Sequence, residues 1–316
     1  MRKKFIKNLF IFSCFCLTLV TTGCQKNEEI STESVETTGE YTEIEMENKY
    51  LISNDPAKLG LQINSDGKLQ DFVIDSKSCG TPFYIQQMLW NGNSCEWKKL
   101  DFMDENDFLI KILTDDNENY FLLYPDFLIV YSSLGDEVSR INVDADYNSE
   151  MYIEGDNVYL LLSEEKMQVF NFNTGRLIEE YEISNLSNIL LFDNYILSKN
   201  ESNLIVSDIN GIMVNSIPLP DGDPVYKFTS EYGDWFIYNK ELICLKDEII
   251  YYSCIDGIYE ADINGNEFNL LIDANSTEHL KGETSFLSMA VDSDKNIYLS
   301  YDTIVNGKGM AKYEVR

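Results

Sequence analysis

The most constraining feature of the sequence is residues 155–183, GDNVYLLLSEEKMQVFNFNTGRLIEEYEI, which contain three short strands joined by polar turns. In DNVYLLL, Val158, Leu160 and Leu162 share one face and Tyr159 and Leu161 the other, so this segment can be buried on both sides. SEEK makes a turn, MQVFNF alternates less cleanly, and NTG supplies a second turn in which Gly175 can adopt positive φ. RLIEEYEI sets Leu177, Tyr181 and Ile183 against Ile178, Glu180 and Glu182, the pattern of a half-exposed strand. So small a sheet cannot seclude its own faces, and it gains stability by stacking on copies of itself.

Such copies run along the chain. NYFLLYPDFLIVYSSLGDEVSRINV (residues 119–143), residues 188–219 and residues 234–273 have the same order of strand, turn and strand. LGLQINSDGKLQDFVID (residues 59–75) reads as a hairpin around Ser65-Asp66-Gly67-Lys68, and a second sheet is expected through FYIQQMLW, EWKKLDFM and DFLIKILTD. Turn glycines recur at Gly135, Gly175, Gly211 and Gly265, with spacings of 40, 36 and 54 residues. The first two spacings match one propeller blade, and the third calls for an insertion or a degenerate blade. The expectation is an all-β chain, a β-propeller of six or seven blades over residues 49–316, with a large sandwich as the alternative. A closed ring lets many short apolar strands coexist without a long exposed edge.

Particular stretches carry resemblances. VSDINGIMVNSI and IIYYSCIDGIYEADINGNEFNLLI are similar to repeats of the low-density-lipoprotein-receptor-like propellers of bacterial surface proteins, in which a tyrosine-rich strand precedes a D-x-x-G turn. AVDSDKNIYLSY (residues 290–301) resembles an NHL-type blade. VFNFNTGRLIEEYEI looks like a quinoprotein repeat in which Leu177 and Ile178 stand near the place of the usual tryptophan. These resemblances imply a domain that binds proteins, carbohydrates or small ligands.

Residues 1–24, MRKKFIKNLFIFSCFCLTLVTTGC, have the basic start, short apolar stretch and small residues of a secretory signal. VTTGC resembles the lipobox of bacterial lipoproteins, with Thr21 where leucine is usual. That resemblance implies cleavage after residue 23, acylation of Cys24 and anchoring of the protein to the outer side of the bacterial cell membrane. Residues 24–48, rich in Glu, Ser and Thr, are expected to form a disordered acidic tether. Two or three acyl chains hold a protein on a bilayer against a repulsive body, each buried methylene contributing ~0.8 kcal/mol.

The body would be strongly repulsive. Losing Arg2, Lys3, Lys4 and Lys7 with the signal takes the formal charge from −30 to −34, which excludes nucleic acid as a partner. A basic partner or cations would be attracted. The single histidine, His279, lies in a polar run and is expected in an exposed loop, which leaves a histidine-dependent triad or multi-histidine metal centre without its residues. There is no Gly-rich phosphate loop, no H-E-x-x-H and no nucleophile elbow, so the expectation is a protein that is not an enzyme and needs no cofactor. DADYN (144–148), DSDKN (292–296) and Asp221-Gly222-Asp223 have the oxygen alternation of calcium loops, but the first two lack the glycine and closing glutamate, so Asp-capped turns are expected.

Cys14 and Cys16 would leave with the signal and Cys24 is the lipid site. Cys79, Cys95, Cys244 and Cys254 remain, either as thiols or as two disulfides, for which 79 with 95 and 244 with 254 is the simplest pairing. Trp90, Trp97, Trp235, Tyr251, Tyr252 and Tyr259 could line a sugar-binding face, although their spacing suits packing between blades. The expected role is a protein-binding or scaffolding module whose partner is a surface protein or wall component. A solute- or glycan-binding lipoprotein using the channel mouth is the alternative, and a polysaccharide-acting enzyme the lesser one.

Overall fold

Strands that are apolar on both faces must bury both, and here they do so by stacking sheet on sheet around a ring. The structure, a computed structural model, describes residues 41–46, 60–75, 84–92, 94–100 and most of 109–315; only the backbone is described for 43, 45, 73–75, 84, 225–230, 233–238, 284–287, 302–303 and 307–308. Strand β1 (Tyr41–Glu45) belongs to the last sheet. Blade 1 is β2 (Gln62–Ile63), β3 (Leu69–Asp75), β4 (Tyr84–Asn91) and β5 (Ser94–Leu100). Blade 2 is β6 (Lys111–Thr114), β7 (Tyr120–Leu123), β8 (Phe127–Tyr131) and β9 (Glu137–Asn142). Blade 3 is β10 (Glu150–Glu154), β11 (Asn157–Leu162), β12 (Lys166–Asn171) and β13 (Arg176–Glu182). Blade 4 is β14 (Leu190–Phe192), β15 (Tyr195–Lys199), β16 (Asn203–Asp208) and β17 (Met213–Pro218).

A two-stranded sheet, β18 (Val225–Ser230) with β19 (Gly233–Tyr238), comes next. Blade 5 is β20 (Ile243–Lys246), β21 (Ile249–Cys254), β22 (Gly257–Asp262) and β23 (Asn269–Asp273). Blade 6 is β24 (Thr284–Val291), β25 (Ile297–Thr303), β26 (Gly307–Val315) and, as its outermost strand, β1. The N-terminal strand pairs antiparallel with β26, from Tyr41 opposite Val315 to Glu45 opposite Ala311. Residues 41–45 are therefore the closing strand of the ring, and the expected disordered tether of residues 24–48 gives way to β-structure there. The expected second sheet divides: FYIQQMLW and EWKKLDFM supply β4 and β5, which join the 59–75 hairpin in blade 1, and DFLIKILTD supplies the innermost strand of blade 2.

Six apolar clusters fill the six seams and close the circle. Phe72, Ile112 and Tyr120 join blades 1 and 2; Phe121, Val130 and Leu160 join 2 and 3; Leu161, Met167 and Ile196 join 3 and 4. Leu204, Ile217 and Tyr252 join 4 and 5; Tyr251, Leu299 and Tyr313 join 5 and 6; Met46, Trp90 and Met310 join 6 and 1. Blades 4 and 5 thus pack directly, so the β18–β19 hairpin is an insertion that accounts for the 54-residue spacing, and the ring has six blades. Each fully buried aliphatic or aromatic side chain contributes about 1.5–3 kcal/mol.

The turns explain why Asp and Gly recur. The Asp208 carboxylate accepts from the amides of Asn210 and Ile212 at 3.0 and 2.9 Å, while Gly211, at φ +79°, donates to the Asp208 carbonyl. This turn presses on the preceding blade: Tyr181 Oη donates to the Ile209 carbonyl at 2.9 Å. One seam on, Asn215 Nδ2 donates to the carbonyls of Ile263 and Gly265 at 2.8 and 2.7 Å. The outer strand of one blade is in this way stitched to the turn of the next.

Candidate functional site

Two surfaces present functional groups, the central channel and the rim. The innermost strands β2, β6, β10, β14, β20 and β24 surround a cavity of about 570 Å³. These strands are short and mostly apolar, and their polar contributions include Gln62, Lys111, Thr114, Glu150 and Lys246. Lys111 Nζ donates to Glu150 Oε2 at 2.5 Å, joining blades 2 and 3, with the Glu150 side chain 1% exposed and that of Lys111 18%. Beside the channel a buried chain of amides links blades 1 and 2. Tyr120 Oη donates to Gln87 Oε1 at 2.9 Å, Gln87 Nε2 to Gln70 Oε1 at 2.9 Å, and Gln70 Nε2 to Thr114 Oγ1 at 2.7 Å. Such a network fixes the angle between blades, because a slip would leave several buried amides without partners.

The rim is formed by the fourth strands. In blades 2, 3 and 4 their burial is low, and all of β13 is exposed except Tyr181, whereas β23 of blade 5 buries Leu271 and Ile272. In blades 2, 3 and 4 this strand carries a β-bulge just after the turn glycine, where the register jumps from Ser139 to Glu137, from Glu179 to Leu177 and from Asn215 to Met213. The residues passed over are Val138, Ile178 and Val214, all three exposed large hydrophobics. Leu134, Leu177, Ile212 and Met213 stand exposed next to them. On β13 the carboxyl of Glu180 is held below the usual carboxylate range by the hydrogen bond from Lys166 and a second from Gln168.

The residues singled out in the sequence fall as follows. Trp90, Tyr251 and Tyr252 are buried in seams, and Trp97 and Tyr259 pack partly buried against them, so these rings serve the contact between blades. The side chain of Trp235 lies outside the described residues, as do Cys24, Cys79, His279 and residues 221–223. Cys95, Cys244 and Cys254 are thiols. Cys244 packs in the seam of blades 5 and 6 and Cys254 in that of blades 4 and 5, so they sit on opposite faces of one sheet and the pairing of 244 with 254 is not formed. The expected pairing of Cys79 with Cys95 involves residue 79 and lies outside the described residues.

The calcium-like loops at 144–148 and 292–296 are held by Asp-capped hydrogen bonds. Asp292 Oδ1 accepts from the amides of Asp294 and Asn296, and its Oδ2 accepts from Asn296 Nδ2 at 2.8 Å and Tyr298 Oη at 3.0 Å. Asp115 holds the corresponding turn of blade 2 in the same manner, with Asn117 and Asn119. Asp146 accepts from the Asn148 amide and the Ser149 hydroxyl. Among the described residues no three His, Cys, Asp or Glu side chains come together as metal ligands. The bulge residues were missed in the sequence; the signal was the apolar residue three places after each turn glycine, Val138, Ile178 and Val214.

Six four-stranded sheets around one channel, closed by the two ends of the chain, define a six-bladed β-propeller. Solved structures of similar shape include the Pan2 WD40 domain of Neurospora crassa, at 11% identity over 86% of this chain and 95% of that one, with a TM-score of 0.49. The computationally designed protein Ika8 matches at 12% identity, 84% and 98% coverage and a TM-score of 0.45. BamB from Moraxella catarrhalis matches at 9% identity, 86% and 96% coverage and a TM-score of 0.40. No family model and no curated protein matches the sequence.

Proposed function

We propose that this propeller is a protein-binding or scaffolding module held on the outer side of the bacterial cell membrane by acyl chains on Cys24. The observation that carries the binding role is the set of large apolar side chains exposed on the rim of three consecutive blades, on an otherwise acidic surface. Apolar side chains scattered singly need no explanation, but the same position exposed blade after blade does. The anchor rests on the lipobox-like VTTGC. The partner is a surface protein or wall component. The test is cross-linking in cells followed by mass spectrometry, with Cys24→Ser as the mislocalised control; a stoichiometric partner lost in the control supports the reading, and no partner in either strain overturns it.

A second reading is a solute or glycan bound at the channel, favoured by a cavity of about 570 Å³, within the size range of ligand pockets. Saturable binding of a sugar or solute that is abolished by Lys246→Met, at another lysine lining the channel, would support this reading over the first.

A further inference from the structure

The seam between blades 2 and 3 joins an apolar bulge to an acidic cleft. We infer that this seam is the docking surface for a basic segment of a partner protein, one that carries lysine or arginine between apolar side chains. The inference rests on the binding role proposed above and adds the partner's chemistry. The cleft, of about 320 Å³, is lined by Asn142 and Asp144 at the end of blade 2 and by Leu162, Lys166 and Gln168 of blade 3. Its single lysine is committed within the wall, since Lys166 Nζ lies 2.9 Å from Glu180 Oε2 and stands opposite Glu182 in the strand pairing. Gln168 Nε2 also donates to Glu180 Oε2, at 2.6 Å. The lining carries Asp144 against Lys166, and on the flanking strand β13 the exposed Glu179, Glu180 and Glu182 outnumber Arg176, so cleft and flank together are net negative and suit a guanidinium or ammonium group.

Ile178 is two residues from Glu180 and 54% exposed, and Leu177 beside it is 43% exposed. A β-bulge turns a side chain out of the sheet's own packing and is over-represented where a sheet meets something else. Ile178 does not repay its bulge with packing inside the molecule. A partner that covers it must also face Glu179, Glu180 and Glu182 on the same strand, which excludes an acidic segment by repulsion. The formal charge of −30 argues likewise against a second copy of this chain and against an anionic membrane as the occupant. Val138 and Val214 extend the same contact to either side.

The test uses the full chain purified in detergent and three labelled nine-residue peptides: leucine alternating with lysine, leucine with glutamate, and serine with lysine. The leucine-lysine peptide should bind at least about tenfold more tightly than either of the others, and Ile178→Ser should weaken it by about tenfold, or 1.4 kcal/mol. Glu180→Gln should weaken it and flatten its dependence on salt, while Val315→Ser, on a different blade, should leave it unchanged. Equal binding by the Ile178→Ser protein, or by the leucine-glutamate peptide, would overturn the inference. So would a dimer, or co-flotation with phosphatidylglycerol vesicles, that Ile178→Ser abolishes. Photo-cross-linkers placed at positions 178 and 315 in cells separate the two levels: capture of a partner away from 178 sinks the seam and leaves the binding role standing, whereas capture nowhere sinks both.

Discussion

Replacing Met46 by alanine should cost more than any other single deletion of side-chain atoms near the N-terminus. Met46 follows β1, is 3% exposed, and packs with Leu61, Leu69, Met88, Trp90 and Met310 where blade 6 meets blade 1. Its amide donates to the Met310 carbonyl at 3.0 Å, so the residue is fixed and cannot swing to refill a gap. A buried Met→Ala change costs about 2–5 kcal/mol, and a site fixed on several sides supports a value of about 3 kcal/mol. At roughly 2 °C per kcal/mol for a domain of this size, the midpoint should fall by about 6 °C. Urea unfolding followed by tryptophan fluorescence reads the same seam, because Trp90 lies in it at 2% exposure. Val315→Ala, at 44% exposure on the strand β1 pairs with, is the control and should change stability by less than about 0.5 kcal/mol. If Met46→Ala is no more harmful than this control, residues 41–46 do not close the ring and the assignment of β1 is wrong.

Three further outcomes are expected. Gly257→Ala should destabilise by about 3 kcal/mol in the same assay, because its φ of +153° is unsuited to an L side chain and a Cβ would lie 2.1 Å from the Ile272 carbonyl oxygen. Lys111→Met should cost about 3–5 kcal/mol by leaving the Glu150 carboxylate buried without that cation, and adding Glu150→Leu should recover most of the loss in urea unfolding. Burial, and then the charges of Glu260 and Glu179 respectively, push the phenols of Tyr41 and Tyr181 up to about 12, above their ordinary 10. The folded state holds the neutral phenols, so their contribution to stability is complete below pH 10 and is lost as the pH rises from about 10 through 12. Absorbance of phenolate and circular dichroism should therefore change together in that window, and separate early titration of these phenols in the folded protein would refute it.

The repeating strands were legible because burial on two faces leaves an unmistakable pattern. Tyr159 and Leu161 alternate with Val158, Leu160 and Leu162 in the sequence, and the two sets enter different seams of the structure. The innermost strands were harder to read. β10 contains Glu150, whose burial depends on Lys111 thirty-nine residues earlier, and no local pattern announces that partnership. The closing strand was hidden for a related reason: YTEIE has the composition of a tether, and only the edge of β26 makes it a strand. Among candidate sites, Trp90, Trp97, Tyr251, Tyr252 and Tyr259 pack between blades, as their spacing suggested. The disulfide was less tractable, since Cys244 and Cys254 are close in sequence but separated by the thickness of their sheet. The bulge at Ile178 depends on register, which is set by pairing with β12 and not by β13 alone.

The pairing of β1 with β26 also sets a timetable. Tyr41 meets Val315, so a strand that leaves the ribosome early has its partner far later in the chain. Blades 1 to 5 are each built from contiguous sequence and can form as they emerge, but blade 6 is incomplete until both β1 and β26 are present. Because the entropy of closing a loop grows only with the logarithm of its length, the long wait adds little to the final free energy. It acts on the rate, through the distant contact that must be found last. A chain cut short before residue 307 would have no β26 for β1 to pair with, and its blade 6 edge would remain open to any passing strand, so premature ends are distinguished from finished molecules by their availability to proteases.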